Sequence, residues 1–178
     1  MKKKKNNKDW NNIWNVFQES SLFLLITITL TLIITNLLFV FNITITKFHL
    51  PIIYILTSIG YIIWKKKEWK KSIVVILVAS IVFVGCAYIA TATYDGTPDG
   101  NTYHKLSVGA LKNGWNPLYE SVGDFNKEEG NPFDIYKDNV NVNWADHYAR
   151  GTETFGAVVY AFSGNIETGK MFNLLWIY

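Results

Sequence analysis

One cysteine, four prolines and three histidines are all that the 178 residues hold of these types. Cys86 has no partner in the chain, so an internal disulfide is excluded, and a structural thiolate metal site, which needs several such ligands, is argued against. Inside an apolar run, this cysteine reads as a small packing residue. His49, His104 and His147 lack the spacing of a zinc-binding helix, and Asp95, Asp99 and Asn101 do not follow the ligand ladder of a calcium loop. A nucleophile elbow, a phosphate-cradling glycine loop, a dinucleotide fingerprint and any internal repeat are also missing. Charge is scarce as well: 17% of residues are charged, against 49% hydrophobic and 16% aromatic. With a positive mean hydropathy of +0.11, this balance in a short chain fits several membrane spans better than a soluble core.

What is present is long uncharged runs. Ser72 to Ala92 carries no charge and matches the roughly 20 residues that cross about 30 Å of hydrocarbon. Ser21 to Ile43 is likewise uncharged, its polar members being Ser, Thr and Asn, which can bond within a helix or to neighbouring helices. Phe48 to Trp64 lies near the lower limit of spanning length, with Pro51 in its first turn, where a missing N–H does little harm. The chain start, with Lys2 to Lys5 ahead of an apolar run, resembles a signal peptide. The run is too long for one, however, and Trp10 to Glu19 separates it from the lysines, so an uncleaved anchor is expected. Trp10, Ile13, Trp14 and Phe17 recur at helical spacing opposite Asn11, Asn12 and Asn15, which predicts an amphipathic helix at the interface.

Lysines set the expected orientation. Lys2, Lys3, Lys4, Lys5 and Lys8 precede the first run, and Lys65, Lys66, Lys67, Lys70 and Lys71 sit between the second and third, whereas the short loop after the first has only Lys47. Residues 1–20 and the Trp64 to Lys71 loop are therefore expected in the cytoplasm, and three crossings carry residues 93–163 to the outer face of the cell membrane. Both basic runs flank spans, so they read as topology determinants with anionic-lipid contacts and not as a nucleic-acid surface. Trp64 and Trp69 on the inside, with Tyr88 and Tyr94 outside, fit interfacial belts. The expected fold class is an all-α polytopic membrane protein whose extracytoplasmic loop carries juxtamembrane helices.

That outer segment places Asp95 and Asp99 just past an apolar run, at a depth where ionisable groups are usually functional. Asn101 or Thr102 can cap a helix from Tyr103 to Lys112, which Asn113-Gly114 stops. Glu120 to Asn143 reads as a surface loop, and Thr152 to Phe162 as a juxtamembrane helix broken at Gly164-Asn165. Residues 167–178 begin a further apolar run, so the chain reads as an N-terminal fragment of a longer protein, not expected to be active alone. Asn42-Ile43-Thr44 fits a glycosylation pattern, but at a span end it reads as incidental.

Asp99-Gly100-Asn101-Thr102-Tyr103-His104, then Asn113-Gly114-Trp115-Asn116-Pro117, and later His147-Tyr148-Ala149-Arg150-Gly151 with Gly164-Asn165-Ile166-Glu167-Thr168-Gly169-Lys170, resemble the N-terminal region of bacterial multi-spanning glycosyltransferases of the GT-C superfamily. The resemblance covers about Ile73 to Tyr178. It implies an enzyme that moves a sugar from a polyprenyl-phosphate carrier to a glycan or lipid acceptor on the outer face, with an acidic residue early in the outer loop serving catalysis. Some members use a divalent cation and others do not. The family usually has a proline and a lysine where this chain has Ala149 and Arg150, a departure that keeps the charge.

The resemblance points to Asp99 as the general base, since it opens the matching stretch, with Asp95 second; a carboxylate at the membrane surface can take an acceptor hydroxyl's proton. By composition alone, Asp95-Gly96 and Asp99-Gly100 are equally turn residues around Pro98. His104 is a candidate to bond a carrier phosphate or a carboxylate, and Tyr103 to stack on a sugar, although neighbours on a short helix do not both face a ligand. Arg150, after His147-Tyr148, suits a phosphate because guanidinium pairs bidentately with such oxygens. Glu153 reads as a second carboxylate, as a metal neighbour or as a surface residue favoured by the helix dipole. The competing function is a noncatalytic transporter or polymer-export component, marked by inverted repeats or broken helices in further spans. A small stand-alone anchor would require the chain to end at Tyr178.

Overall fold

The computed structural model describes residues 3–97, 100, 104–125, 146 and 150–178, with side chains from Asn12 onward. Every regular element among them is helical. The first helix, α1, spans Lys3–Val40 and carries the interfacial segment and the first apolar run without a break. No glycine or proline falls inside it to interrupt the hydrogen-bond ladder.

Helix α1 stops three residues short of Ile43 because Asn42 turns left-handed, at φ 54°. The Ile43 amide donates to the Leu38 carbonyl at 2.9 Å and the Asn42 amide to Phe39 at 2.9 Å, the paired bonds of a Schellman ending with asparagine in the glycine's place. Two bonds arrive from far along the chain: Asn116 Nδ2 donates to the Phe39 carbonyl at 2.9 Å and the Tyr119 hydroxyl to Val40 at 2.7 Å. Carbonyls that a helix end leaves open are thus closed by the 115–119 segment.

Helix α2 spans His49–Trp64. Its 16 residues reach about 24 Å, less than the hydrocarbon thickness. A 3₁₀ turn, Lys66–Glu68, leads into α3, Trp69–Ala92. At one end of this bundle Glu19 accepts bonds from the Tyr61 hydroxyl and, at 2.8 Å, from Lys65 Nζ. Further along, the Tyr54 hydroxyl and Ser80 Oγ lie 2.6 Å apart, joining α2 to α3. Buried Thr27, Thr31 and Thr57 each bond the carbonyl four residues back, so no hydroxyl of theirs is left bare in an apolar setting.

The stretches Asn12–Val40 and Lys66–Ala92 are long and apolar enough to cross a membrane, and His49–Trp64 is a shorter apolar helix. Only 17% of the most apolar window of the Lys66–Ala92 stretch is buried. An apolar helix in a soluble core would be covered on most sides.

The remaining helices are short: α4, Lys105–Lys112; α5, Val122–Phe125; α6, Gly151–Ser163; and α7, Met171–Ile177. Helix α4 ends as Asn113-Gly114 predicts. Gly114 takes φ 115°, and the Trp115 amide reaches back to Ala110 at 3.0 Å, placing Trp115 in the core, fully buried. Helix α5 is a turn inside what reads as a surface loop; Val122 and Phe125, three apart, are both buried, and this apolar pair outweighs the polar composition around it.

Helix α6 packs on α4, on α1 and on a 3₁₀ segment, Ile166–Lys170. Phe155, Ala157 and Val158 in it are fully buried. Gly164, at φ 72°, ends α6 where a side chain would strain the backbone. The chain then turns through Ile166–Lys170 into α7, which lies against α3 and ends with the Tyr178 hydroxyl 2.6 Å from Ser20 Oγ on α1.

Candidate functional site

Where α3 ends, the chain turns through Tyr94 and Asp95 over the starts of α4 and α6. A cleft of about 290 Å³ opens there, its polar wall formed by Asp95, His104, Lys105, Glu153 and Lys170 and its apolar wall by Val108, Ile166 and Phe172. Residues from five separate segments meet in it.

Asp95 Oδ1 accepts the Thr97 hydroxyl at 2.7 Å and the Thr97 amide at 3.0 Å, a turn in which the side chain caps its own loop. These two bonds hold its carboxyl below the usual range against the opposing effect of burial, with the positive charge of Lys105 and then Lys170 adding less. Thr97 Oγ1 in turn accepts from the Gly100 amide at 3.1 Å. A side chain at position 100 would collide with the Asp95 carboxylate, so any larger residue there would have to displace it.

Opposite Asp95, the first turn of α6 delivers Glu153, which is 4% exposed. Its Oε1 lies 2.6 Å from His104 Nδ1, and its Oε2 accepts the Thr152 hydroxyl at 2.7 Å. A buried carboxylate needs such partners to stay charged. The His104 side chain is 45% exposed, so this pair has one end in the protein and the other at the cleft.

A second charged group stands beside the cleft, which its two lysines line. Glu167 lies 2.5 Å from Lys105 Nζ and 2.6 Å from Lys170 Nζ, and all three side chains are mostly covered. Lys105 also donates to the Asp95 carbonyl at 3.2 Å, and Lys170 to the Thr93 carbonyl. Two lysines sharing one carboxylate therefore hold the end of α3 to α4 and to the corner before α7. Gly156 and Gly169 make that corner tight: a Cβ at Gly156 would stand 3.2 Å from the Gly169 Cα.

Arg150 does not line the cleft. Its guanidinium lies over the Trp115 ring at 4.6 Å from the centroid and donates to the Asp146 carbonyl at 2.8 Å, while Asp146 Oδ1 receives the Val122 amide at 2.9 Å. Burial lowers the guanidinium's pKa, with Asp146 and Glu153 opposing, and Arg keeps its charge throughout.

Of the residues singled out from the sequence, the cleft brings together Asp95 and His104 and leaves Arg150 to one side. Asp99, Tyr103 and His147 lie outside the described residues, as do Asn101 and Thr102; Gly100, next to Asp99, lines the cleft. The reading of Glu153 as a surface residue fails locally, because His104, 49 positions earlier, folds over its carboxylate. Lys105, Glu167 and Lys170 were not singled out individually. The Glu167 to Lys170 spacing brings those two side chains onto one side of a turn, and that is the signal that points to them. Among the described residues no three His, Cys, Asp or Glu side chains are gathered as a metal ion requires.

No family model, curated protein or solved structure matches this chain.

Proposed function

We propose that this protein belongs to a polytopic membrane glycosyltransferase that takes a sugar from a polyprenyl-phosphate donor and passes it to a glycan or lipid acceptor at the outer face of the cell membrane. The observation that carries this reading is the cleft itself, which sets ionisable side chains beside an apolar wall at the end of the uncharged run Ser72 to Ala92. A polyprenyl-phosphate sugar has the matching division, a polar head on a hydrocarbon tail, and a bilayer surface is where both parts are satisfied. The lysine distribution supports the orientation, with the cleft at the end of α3 remote from the Lys65 to Lys71 cluster. Exposed apolar side chains along α2 and α3, Ile55, Ile59, Ile81 and Val84 among them, support contact with lipid.

In this reading an outer-loop carboxylate, Asp99 first and Asp95 second, takes the proton of the acceptor hydroxyl as its oxygen attacks the anomeric carbon. The Thr97 bonds favour the ionised form of Asp95 and so weaken it as a base. The test is transfer of labelled sugar from polyprenyl-phosphate sugars by membranes carrying the full-length protein, set beside Asp99→Asn and Asp95→Asn at equal protein level. Loss of transfer in Asp99→Asn, with a smaller loss in Asp95→Asn, is the expected result. Absence of transfer by the unaltered protein from every donor would sink the reading and favour an export component.

A further inference from the structure

We infer that the turn between α2 and α3, with the part of α1 beside it, is a binding surface for anionic phospholipid headgroups in the leaflet opposite the cleft, and that Lys66, Lys67 and Lys70 are its cations. The inference goes beyond sugar transfer and takes from the reading above only that the helices cross a membrane.

The surface is assembled from two remote parts of the chain. Glu19 on α1 accepts from the Tyr61 hydroxyl and, at 2.8 Å, from Lys65 Nζ, which ties α1 to the last turn of α2. Phe17 and Trp14 stand two and five residues before Glu19, about 3 Å and 8 Å along the helix axis, a distance comparable to the depth of a headgroup layer. Both are exposed, Trp14 at 64%. Trp64 and Trp69 flank the turn and are exposed as well, with the Tyr61 ring meeting Trp64 edge-on at 5.9 Å. Indole rings at the ends of apolar helices suit a membrane interface, which satisfies their apolar body and their N–H together.

Charge decides what the surface takes. The side chains of residues 12–20 and 64–72 include five lysines and two carboxylates. Glu19 pairs with Lys65 at 2.8 Å and Glu68 with Lys71 at 3.6 Å. Lys66, Lys67 and Lys70 are exposed and have no carboxylate within ion-pair distance among the described residues. The Lys70 ammonium stays beside the Trp69 ring, 5.6 Å from its centroid, so a cation and an indole are presented together.

Three uncompensated positive charges within one turn fit headgroups of net negative charge, each lysine near such a surface favouring it about fivefold. A single-stranded nucleic acid also meets lysine and indole. Here, however, exposed Ile63 and Ile73 continue the surface into the apolar faces of α2 and α3, which acyl chains cover and a nucleic acid does not.

The test is thermal unfolding of the full-length protein in neutral detergent, titrated with dioctanoyl phosphatidylglycerol or dioctanoyl phosphatidylcholine, since a ligand of the folded form raises the melting temperature. Phosphatidylglycerol should raise it and phosphatidylcholine should not, and about 0.5 M sodium chloride should weaken the rise. With Lys66→Gln, Lys67→Gln and Lys70→Gln combined, the lipid concentration giving half the rise should increase about tenfold or more. In Glu68→Gln, which adds to the net positive charge, it should fall about fivefold. The four side chains are exposed, so the lipid-free melting temperature should stay near that of the unaltered protein. Should the triple variant fail to fold, Glu68→Gln and Lys67→Gln alone decide, the latter with an increase of about fivefold. Equal responses to the two lipids, or unchanged responses in the charge variants, overturn the inference. An equal rise with a short oligothymidylate overturns it in favour of nucleic acid. None of these readouts uses sugar transfer, so the glycosyl-transfer reading stands or falls separately.

Discussion

Asp95 shows at the residue scale how a turn and a site can share the same atoms. Its carboxyl is held below the ordinary aspartate value of about 3.9 mainly by Thr97. A depressed folded-state value means that the turn's contribution is complete above about pH 4 and is lost as pH falls through the lower value. The ¹³Cγ titration of Asp95 should therefore have its midpoint below about 3.9, and Thr97→Val, which deletes the hydroxyl donor, should move it upward; an unmoved midpoint would show that the Thr97 hydroxyl is not the cause. Asn116 has a different weight. It is 2% exposed, donates to Phe39 and Asn42, and accepts the Leu118 amide at 3.1 Å. Asn116→Ala removes all three of these bonds from a buried position, and a loss of about 1–3 kcal/mol is expected, read as a lowered melting temperature in detergent.

Among the elements, the corner between α6 and the Ile166–Lys170 segment is the most sensitive to size. Replacing Gly156 by alanine adds about 0.5–1 kcal/mol of helix preference, which the 3.2 Å approach to Gly169 largely cancels. Gly156→Leu has no such offset and forces backbone apart, at a cost of about 1–3 kcal/mol. Thermal unfolding in detergent should thus rank Gly156→Ala near the unaltered protein and Gly156→Leu well below it.

The same elements show what could be read from the chain. Ser72 to Ala92 became α3 with three residues added at its start, and Thr152 to Phe162 became α6 with one added at each end, because runs of one polarity and the glycines that end them are local signals. Phe48 to Trp64 gave a helix of 16 residues, its start shifted by one. The site was less legible. His104 and Glu153 carry no shared pattern, and only the packing of α4 on α6 makes them partners. Arg150 had the right chemistry for a phosphate, yet Trp115 supplies an aromatic face for its guanidinium that no spacing rule foretells.

For the molecule as a whole, the outward apolar side chains of α3 decide between lipid and water. Ile81 is 72% exposed near the middle of that helix. In a bilayer, Ile81→Lys should cost about 2.5–3.5 kcal/mol or more in insertion and reduce the fraction of chains integrated into membranes, as measured by alkaline extraction. In a water-soluble fold the same change on an exposed position would be tolerated within about 0.5 kcal/mol. Undiminished integration of Ile81→Lys would argue that α3 does not cross.

The bonds from Asn116 and Tyr119 to the end of α1 also impose an order on synthesis. Phe39 leaves the ribosome 77 residues before the asparagine that will meet its carbonyl, and Val40 precedes Tyr119 by 79. Throughout that interval only water is at hand to satisfy those oxygens beyond the local Asn42 turn, so the tip of α1 must wait on a wet face while α2 and α3 are made. The 115–119 segment then displaces that water as it docks, and the first helix of the chain is among the last to have its end sealed.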